Sequence, residues 1–129
     1  MTVYLDSSAA VKLLASEPES LTLAGWLDDL DGAESLVSST LLETEMRRFA
    51  MRTGISQPSV SELLAQVSLV DPDRALFREA GLLPAVGLRS LDALHLATAL
   101  RVDADLLVAY DHGLLQGAAG LGLVCASPD

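Results

Sequence analysis

Thr2-Val3-Tyr4-Leu5-Asp6-Ser7-Ser8-Ala9-Ala10-Val11-Lys12-Leu13-Leu14 decides how the rest of the chain is read. Thr2 to Leu5 form a short buried strand that stops at Asp6. Ser7 or Ser8 then stands where a side-chain oxygen accepts an otherwise free backbone N–H, and Ala9 to Leu14 continue as helix. A strand that runs straight into a helix opens a βα unit. The question is whether the same order repeats downstream.

It does. Glu17-Pro18-Glu19 punctuates the first helix, because proline is tolerated in a first turn but not in an interior. A second helix carries Leu21, Leu23, Ala24, Leu27 and Leu30 toward a stop at Asp28-Asp29-Leu30-Asp31-Gly32. Ser35 to Ser38 form a short strand, and a third helix runs from about Thr40 to Thr53, closed by Gly54. Pro58 to Leu69 make a fourth helix that leads into an apolar segment, Val67 to Val70, with strand character. Asp71-Pro72-Asp73 starts the next helix, roughly to Leu83, and Pro84 and Gly87 mark a loop. Ser90 is placed to cap the helix Leu91 to Val102. Asp105 to Tyr110 is a clear strand ending at Asp111; a short helix and the strand Leu121 to Cys125 follow. Strands alternating with helices indicate an α/β fold with a mainly parallel sheet. No linker, internal repeat or low-complexity segment interrupts residues 1–129, which read as one domain.

Composition narrows the function. The 129 residues carry 18 Asp or Glu against 8 Lys or Arg, a net charge of −10, and Lys12 is the one lysine. Half the residues are hydrophobic, too many for a disordered acidic tail. A lone cysteine, Cys125, excludes a disulfide framework and a Cys-rich zinc site and fits a reducing cytosol. The first six residues have neither the basic stretch nor the apolar run of a signal peptide. Nowhere do about 18 apolar residues run together, so no membrane span is expected and the protein is expected in the cytoplasm. The acidity also argues against nucleic-acid binding by the bare surface.

The carboxylates carry the chemistry. Two strands, Val3 to Leu5 and Leu106 to Tyr110, each deliver an Asp at the carboxyl end, where open parallel sheets bind ligands. Asp6 and Asp111 would share one crevice if those strands are neighbours; the alternative is that each only caps the helix after it. Asp92 lies in the first turn of an otherwise apolar helix. The helix dipole favours it there, but an acid on a buried helix costs free energy unless paired, protonated or metal-bound. On the third helix Leu42, Met46 and Phe49 define the inward stripe. Glu45 lies at its edge in line with Arg48 and Arg52, whereas Glu43 faces Arg47 at i+4 as an exposed ion pair. Converging carboxylates without a lysine suit a hard divalent cation such as Mg²⁺ or Mn²⁺, which polarises a phosphoryl oxygen and makes hydroxide from water.

Four stretches carry a resemblance. Tyr4 to Ala9 with Lys12, Ser39 to Glu45 with Arg48, Ser90-Leu91-Asp92-Ala93-Leu94-His95-Leu96-Ala97, and Val108 to Asp111 together resemble the PIN-domain family, and within it the VapC toxins of bacterial toxin–antitoxin modules. The resemblance covers essentially the whole chain in the right order. It implies a three-layer α/β/α fold with a short mainly parallel sheet, and a metal-dependent endoribonuclease. It implies that Asp6, Glu45, Asp92 and Asp111 form an acidic quartet around Mg²⁺ or Mn²⁺, with Asp6, Asp92 and Asp111 as metal ligands. Ser8 matches a hydroxyl that contacts water or a ligating carboxylate. A homodimer and a small cognate antitoxin are implied as partners. The chain departs from the pattern where Ala109 replaces the usual Thr or Ser, and where His112 and Gly113 follow the last Asp. One metal or two is therefore open.

Other residues keep two readings. His95, one turn after Asp92, either orients a carboxylate or touches substrate, or is a packed, hydrogen-bonded core histidine. Arg48 and Arg52 either steer a phosphate or pair with Glu45. Gly117 to Gly122 lacks phosphate-loop spacing, and Trp26 and Cys125 read as core. An aspartyl-phosphate enzyme would want a second Asp where Ser8 stands; a non-cleaving RNA- or protein-binding PIN-like module is the non-enzyme alternative. With four acids given to a metal site, the remaining excess predicts weak, metal-dependent RNA binding with a shallow salt slope.

Overall fold

The structure, a computed structural model, describes residues 1–30 and 35–129; the end of the stop expected at Asp31-Gly32 lies outside the described residues. The first unit is β1 (Thr2–Leu5) followed by α1 (Ser7–Leu14), then α2 (Ser20–Asp29). Next come β2 (Ser35–Ser39), α3 (Leu41–Thr53), α4 (Gln57–Leu64) and β3 (Ser68–Val70). The chain continues through α5 (Arg74–Gly81), α6 (Ser90–Arg101), β4 (Leu106–Val108), α7 (His112–Gly120) and β5 (Cys125–Ala126).

All strand pairs are parallel, in the order β3-β2-β1-β4-β5. From β1 the chain first builds outward through β2 to β3, then returns to lay β4 on the other side of β1. Strand order therefore reverses between β1 and β4, and the crevice beyond their carboxyl ends is the ordinary ligand position of such a sheet. Val3 pairs with Leu106 and Leu5 with Val108, and Asp6 N–H donates to the Val108 carbonyl at 3.0 Å.

Side chains alternate across each strand, and that alternation divides the core. Val3, Leu5 and Val108 pack with Leu42, Met46 and Val60 under α1 to α4. Tyr4, Leu107 and Ala109 pack with Leu96, Leu114 and Ala118 under α6 and α7. A smaller cluster joins Leu76 and Ala80 of α5 to Ala93 and Ala97 of α6. The fold is the three-layer α/β/α arrangement. Among the described residues no helix is long and apolar enough to cross a membrane.

Several boundaries differ from the sequence reading. Asp6, not Ser7 or Ser8, caps α1, and Ser7 is already helical. Arg89 occupies the cap position of α6 and Ser90 is its first residue. The fourth helix is shorter than Pro58 to Leu69, because turn bonds from Gln66 N–H to Leu63 O and Val67 N–H to Leu64 O swing the chain into β3. Strand β4 stops at Val108, and the last strand starts at Cys125 rather than Leu121. The end of α7 folds onto Leu121 and Leu123, through Gly122 at φ 82°.

Gly54 ends α3 in the left-handed region, φ 76°, and donates to Ala50 O. A side chain there crowds its own backbone although the space around it is open. Gly54→Ala should lower stability by about 1 kcal/mol, read as a fall in the urea midpoint with an unchanged slope.

Candidate active site

Asp6 uses its two carboxylate oxygens differently. Its carboxylate is 2% exposed. Oδ2 caps α1, accepting from Ser8 N–H at 3.0 Å and from Ser8 Oγ–H at 2.6 Å. Oδ1 is buried with no partner in the protein. Ser8 also accepts at Oγ from Tyr110 N–H, 2.9 Å away. One serine thus ties the end of β1 to the end of β4 and aims Asp6. A buried carboxylate oxygen without a donor is costly, and a cation is the usual remedy.

Asp111 is likewise a cap, of α7, through Gly113 N–H at 3.2 Å, and is exposed. Asp92 sits in the first turn of α6, half-buried. Burial pushes its carboxyl upward, and the negative charges of Asp111 and then Asp6 push it further; His95 and Arg89 only partly oppose them. Asp92 therefore feels both other acids at the reversal point of the sheet. Arg89 is a contributor that sequence reading missed. Among the described residues no group of three or more His, Cys, Asp or Glu is placed to hold a metal ion together. Mg²⁺ does not require three protein ligands, since it usually keeps several waters and takes one or two carboxylates. The orphaned Asp6 Oδ1 and the raised carboxyl of Asp92 fit that kind of site.

Glu45, in the second turn of α3, reaches the same region through His95. His95 is fully buried; its Nε2 lies 2.7 Å from Glu45 Oε1 and its Nδ1 2.7 Å from Tyr4 Oη. The Tyr4 and His95 rings meet edge to face with centroids 5.8 Å apart. Burial pushes His95 down, but the Glu45 hydrogen bond and the charges of Asp6, Glu45 and Asp92 together outweigh it and hold the imidazole above its ordinary value. Nε2–H donates to the Glu45 carboxylate, and Nδ1 shares a hydrogen with the Tyr4 hydroxyl. Burial drives the Tyr4 hydroxyl well above the usual tyrosine range, so it stays protonated.

His95 is thus packed and hydrogen-bonded, and it also orients a carboxylate. Tyr4 was overlooked in the sequence. The available signal was strand alternation, which puts Tyr4 on the α6 face, where a buried hydroxyl needs a partner.

The pairing of Glu45 with Arg48 or Arg52 does not occur: Glu45 bonds His95, and neither arginine has an ion-pair partner among the described residues. Arg48 is exposed beside Glu45 in a shared cavity wall. Glu43 and Arg47 make the surface pair read from i+4 spacing, at 3.0 Å. Lys12 stands apart from the acids, bonding Glu19 at 2.7 Å and Glu17 at 3.3 Å, over the Tyr110 ring. His112 is exposed.

A family profile described as PIN domain matches residues 3–120. Ribonuclease VapC47 of Mycobacterium tuberculosis is 39% identical over 133 residues, spanning 98% of this chain and 96% of that protein. Ribonuclease VapC46 of the same species is 39% identical over 129 residues, spanning 98% and 97%. Among solved structures, a chain of VapBC2 from Rickettsia felis, bound to a promoter DNA fragment, superposes with a TM-score of 0.80 at 15% identity over the full length of both chains. VapC20 of Mycobacterium tuberculosis, described as a sarcin-ricin-loop-cleaving toxin, gives 0.75 at 14% identity over 98% and 99%. At such identities the structural matches speak for the fold.

Two predictions follow from the charges. His95 gains its proton affinity on folding, so its contribution is full below about pH 6.5 and disappears as pH rises through its raised folded value. The difference in urea midpoint between the wild type and His95→Gln should therefore narrow from pH 6 to pH 9. Asp92 has the opposite consequence. Its folded carboxyl holds a proton more tightly than the unfolded one, so its charge opposes folding at neutral pH. Asp92→Asn should raise the urea midpoint in chelator at pH 7.

Proposed function

The chain belongs to the PIN-domain family, and on that premise we propose that it is a metal-dependent endoribonuclease, the toxin of a toxin–antitoxin pair, that hydrolyses RNA phosphodiester bonds. The observation that carries the reading is the buried, partnerless Oδ1 of Asp6 at the reversal point of the sheet, with Asp92 close enough to feel the charges of both Asp6 and Asp111. Near-full-length similarity to chains named ribonucleases supports the substrate class.

Asp6, Asp92 and Asp111 would hold Mg²⁺ or Mn²⁺. When bound, such an ion supplies a Lewis acid for a phosphoryl oxygen and lowers the pKa of attacking water toward neutrality. Ser8 keeps Asp6 aimed by donating to Oδ2, which leaves Oδ1 for the site. Glu45, steadied at Oε1 by His95, orients the nucleophilic water. Tyr4 fixes the imidazole in turn through Nδ1. Arg48, with no acidic partner among the described residues, is free for substrate phosphate.

The partner is a small antitoxin whose basic segment meets a chain of net charge −10. We assign the working form as a homodimer in the cytoplasm, where a lone Cys125 thiol stays reduced. The rival reading, a PIN-like module that binds without cutting, draws on the open arrangement of the acids and on Ala109, which offers no hydroxyl to them.

Cleavage and melting separate the two. The wild type should cut structured RNAs with Mn²⁺ and not with chelator, and Mn²⁺ at a hundredfold excess over its dissociation constant should add about 2.7 kcal/mol of stability. Asp6→Asn should lose both effects. Cleavage retained by Asp6→Asn overturns the assignment, and a metal-insensitive wild type that never cuts favours the binding module.

A further inference from the structure

Beside the acids the surface opens into a cavity of about 470 Å³, lined in part by Ser7, Glu45, Arg48, Phe49, Arg52 and Leu91. Its wall is of two kinds. Phe49 is half-buried and Leu91 is 48% exposed, giving apolar faces. Two guanidinium groups stand at the rim, with Arg52 6.0 Å from the centroid of the Phe49 ring. In a chain of net charge −10, Lys12, Arg47 and Arg101 are tied to carboxylates, whereas Arg48 and Arg52, like Arg74, Arg78 and Arg89 elsewhere, have no ion-pair partner among the described residues. Free cationic charge has been left on an apolar hollow that shares Glu45 with the acid cluster and begins one residue after Asp6.

We propose that this cavity binds the nucleotide flanking the scissile phosphate of single-stranded RNA, with the base against Phe49 and Leu91 and the phosphate on Arg48 and Arg52. The inference rests on the ribonuclease reading and adds a substrate subsite to it. Unpaired bases are recognised by stacking on aromatic rings, and the guanidinium fork matches phosphate oxygens. The volume falls within the range of about 300–1,000 Å³ for pockets that take small organic groups. A second Arg–Phe–Arg group, Arg74, Phe77 and Arg78, lies on α5. The helix end that carries Arg74 is joined through Asp73 to Arg101, at the opposite end of α6 from Asp92. It offers the same side chains without the acids and serves as a matched control.

The experiment measures Mn²⁺-dependent cleavage of a labelled single-stranded RNA pool of randomised sequence and sequences the cut ends. Arg48→Ala and Phe49→Leu should each raise KM about tenfold, with the loss falling on KM more than on kcat. Phe49→Leu should also flatten the base preference at one position beside the cut, and Arg74→Ala should do neither. If Arg48→Ala and Phe49→Leu match Arg74→Ala in KM and base preference while Asp6→Asn is dead, the subsite is wrong and the ribonuclease reading stands. Should Phe49→Leu fail to fold by thermal melting, Arg52→Ala takes its place in the KM comparison. If the wild type does not cut the pool, the same pool carrying 4-thiouridine is crosslinked to it in Ca²⁺; crosslinks at Phe49 or Leu91 support the subsite, and crosslinks elsewhere or none overturn it. Release of a co-purifying protein by Arg48→Ala, with KM for RNA unchanged, assigns the cavity to a protein segment and overturns the proposal.

Discussion

Parallel pairing of β1 with β4 is the constraint on which the site depends. It puts the reversal of strand order between two strands that are each followed by an aspartate, Asp6 directly after β1 and Asp111 at the cap of α7 beyond β4, and it seats Asp6 N–H on the Val108 carbonyl. Ser8 then closes the junction with one hydroxyl, donating to Asp6 and accepting from Tyr110 N–H. If β4 lay elsewhere in the sheet, Asp111 would be an ordinary helix cap and Asp6 a buried acid with no neighbour. The core agrees with this pairing, since the alternation of Val3, Tyr4 and Leu5 sends one tyrosine toward α6 and two aliphatics toward α1 and α3.

The electrostatics are arranged against the stability of the unliganded protein. Asp92 is raised by burial and by its acidic neighbours, and Asp6 keeps an oxygen with no donor. The one lysine does not relieve this, being bound to Glu17 and Glu19. Relief from inside the protein comes from His95, whose proton affinity the acids around it raise and which also fixes Glu45. Strain of this kind is expected where a site is built for a ligand that the folded chain alone cannot replace. It also gives the acidic composition two meanings. In the proposed reading a few acids would make a place for a cation, and the rest would keep RNA off the surface away from it.

Much of the fold was legible because short apolar strands and capped helices are local features. The candidates on those elements were legible too: Asp6 and Asp111 from strand ends, Asp92 from an acid on an apolar helix, Glu45 from its angle to the Leu42–Met46 stripe. The choice between cap and site for Asp6 could not be made in the sequence, because one oxygen caps α1 while the other stays buried without a partner. The partner of Glu45 could not be read either. Arg48 and Arg52 are its neighbours along the helix, yet the bond goes to His95, 50 residues away. Local spacing ranks contacts within a helix; it says nothing of what another layer brings to the same point.

By itself the sequence determined the α/β order of elements, the two aspartates at strand ends and the excess of acids, because each follows from residue type and short-range periodicity. Only the tertiary structure decided that β4 pairs with β1, that Ser8 spans the junction, that Tyr4, His95 and Glu45 form one hydrogen-bonded chain, and that Arg48 and Arg52 are left unpaired beside it. Those outcomes depend on the packing of two helical layers against opposite faces of one sheet, which brings together groups up to about a hundred residues apart.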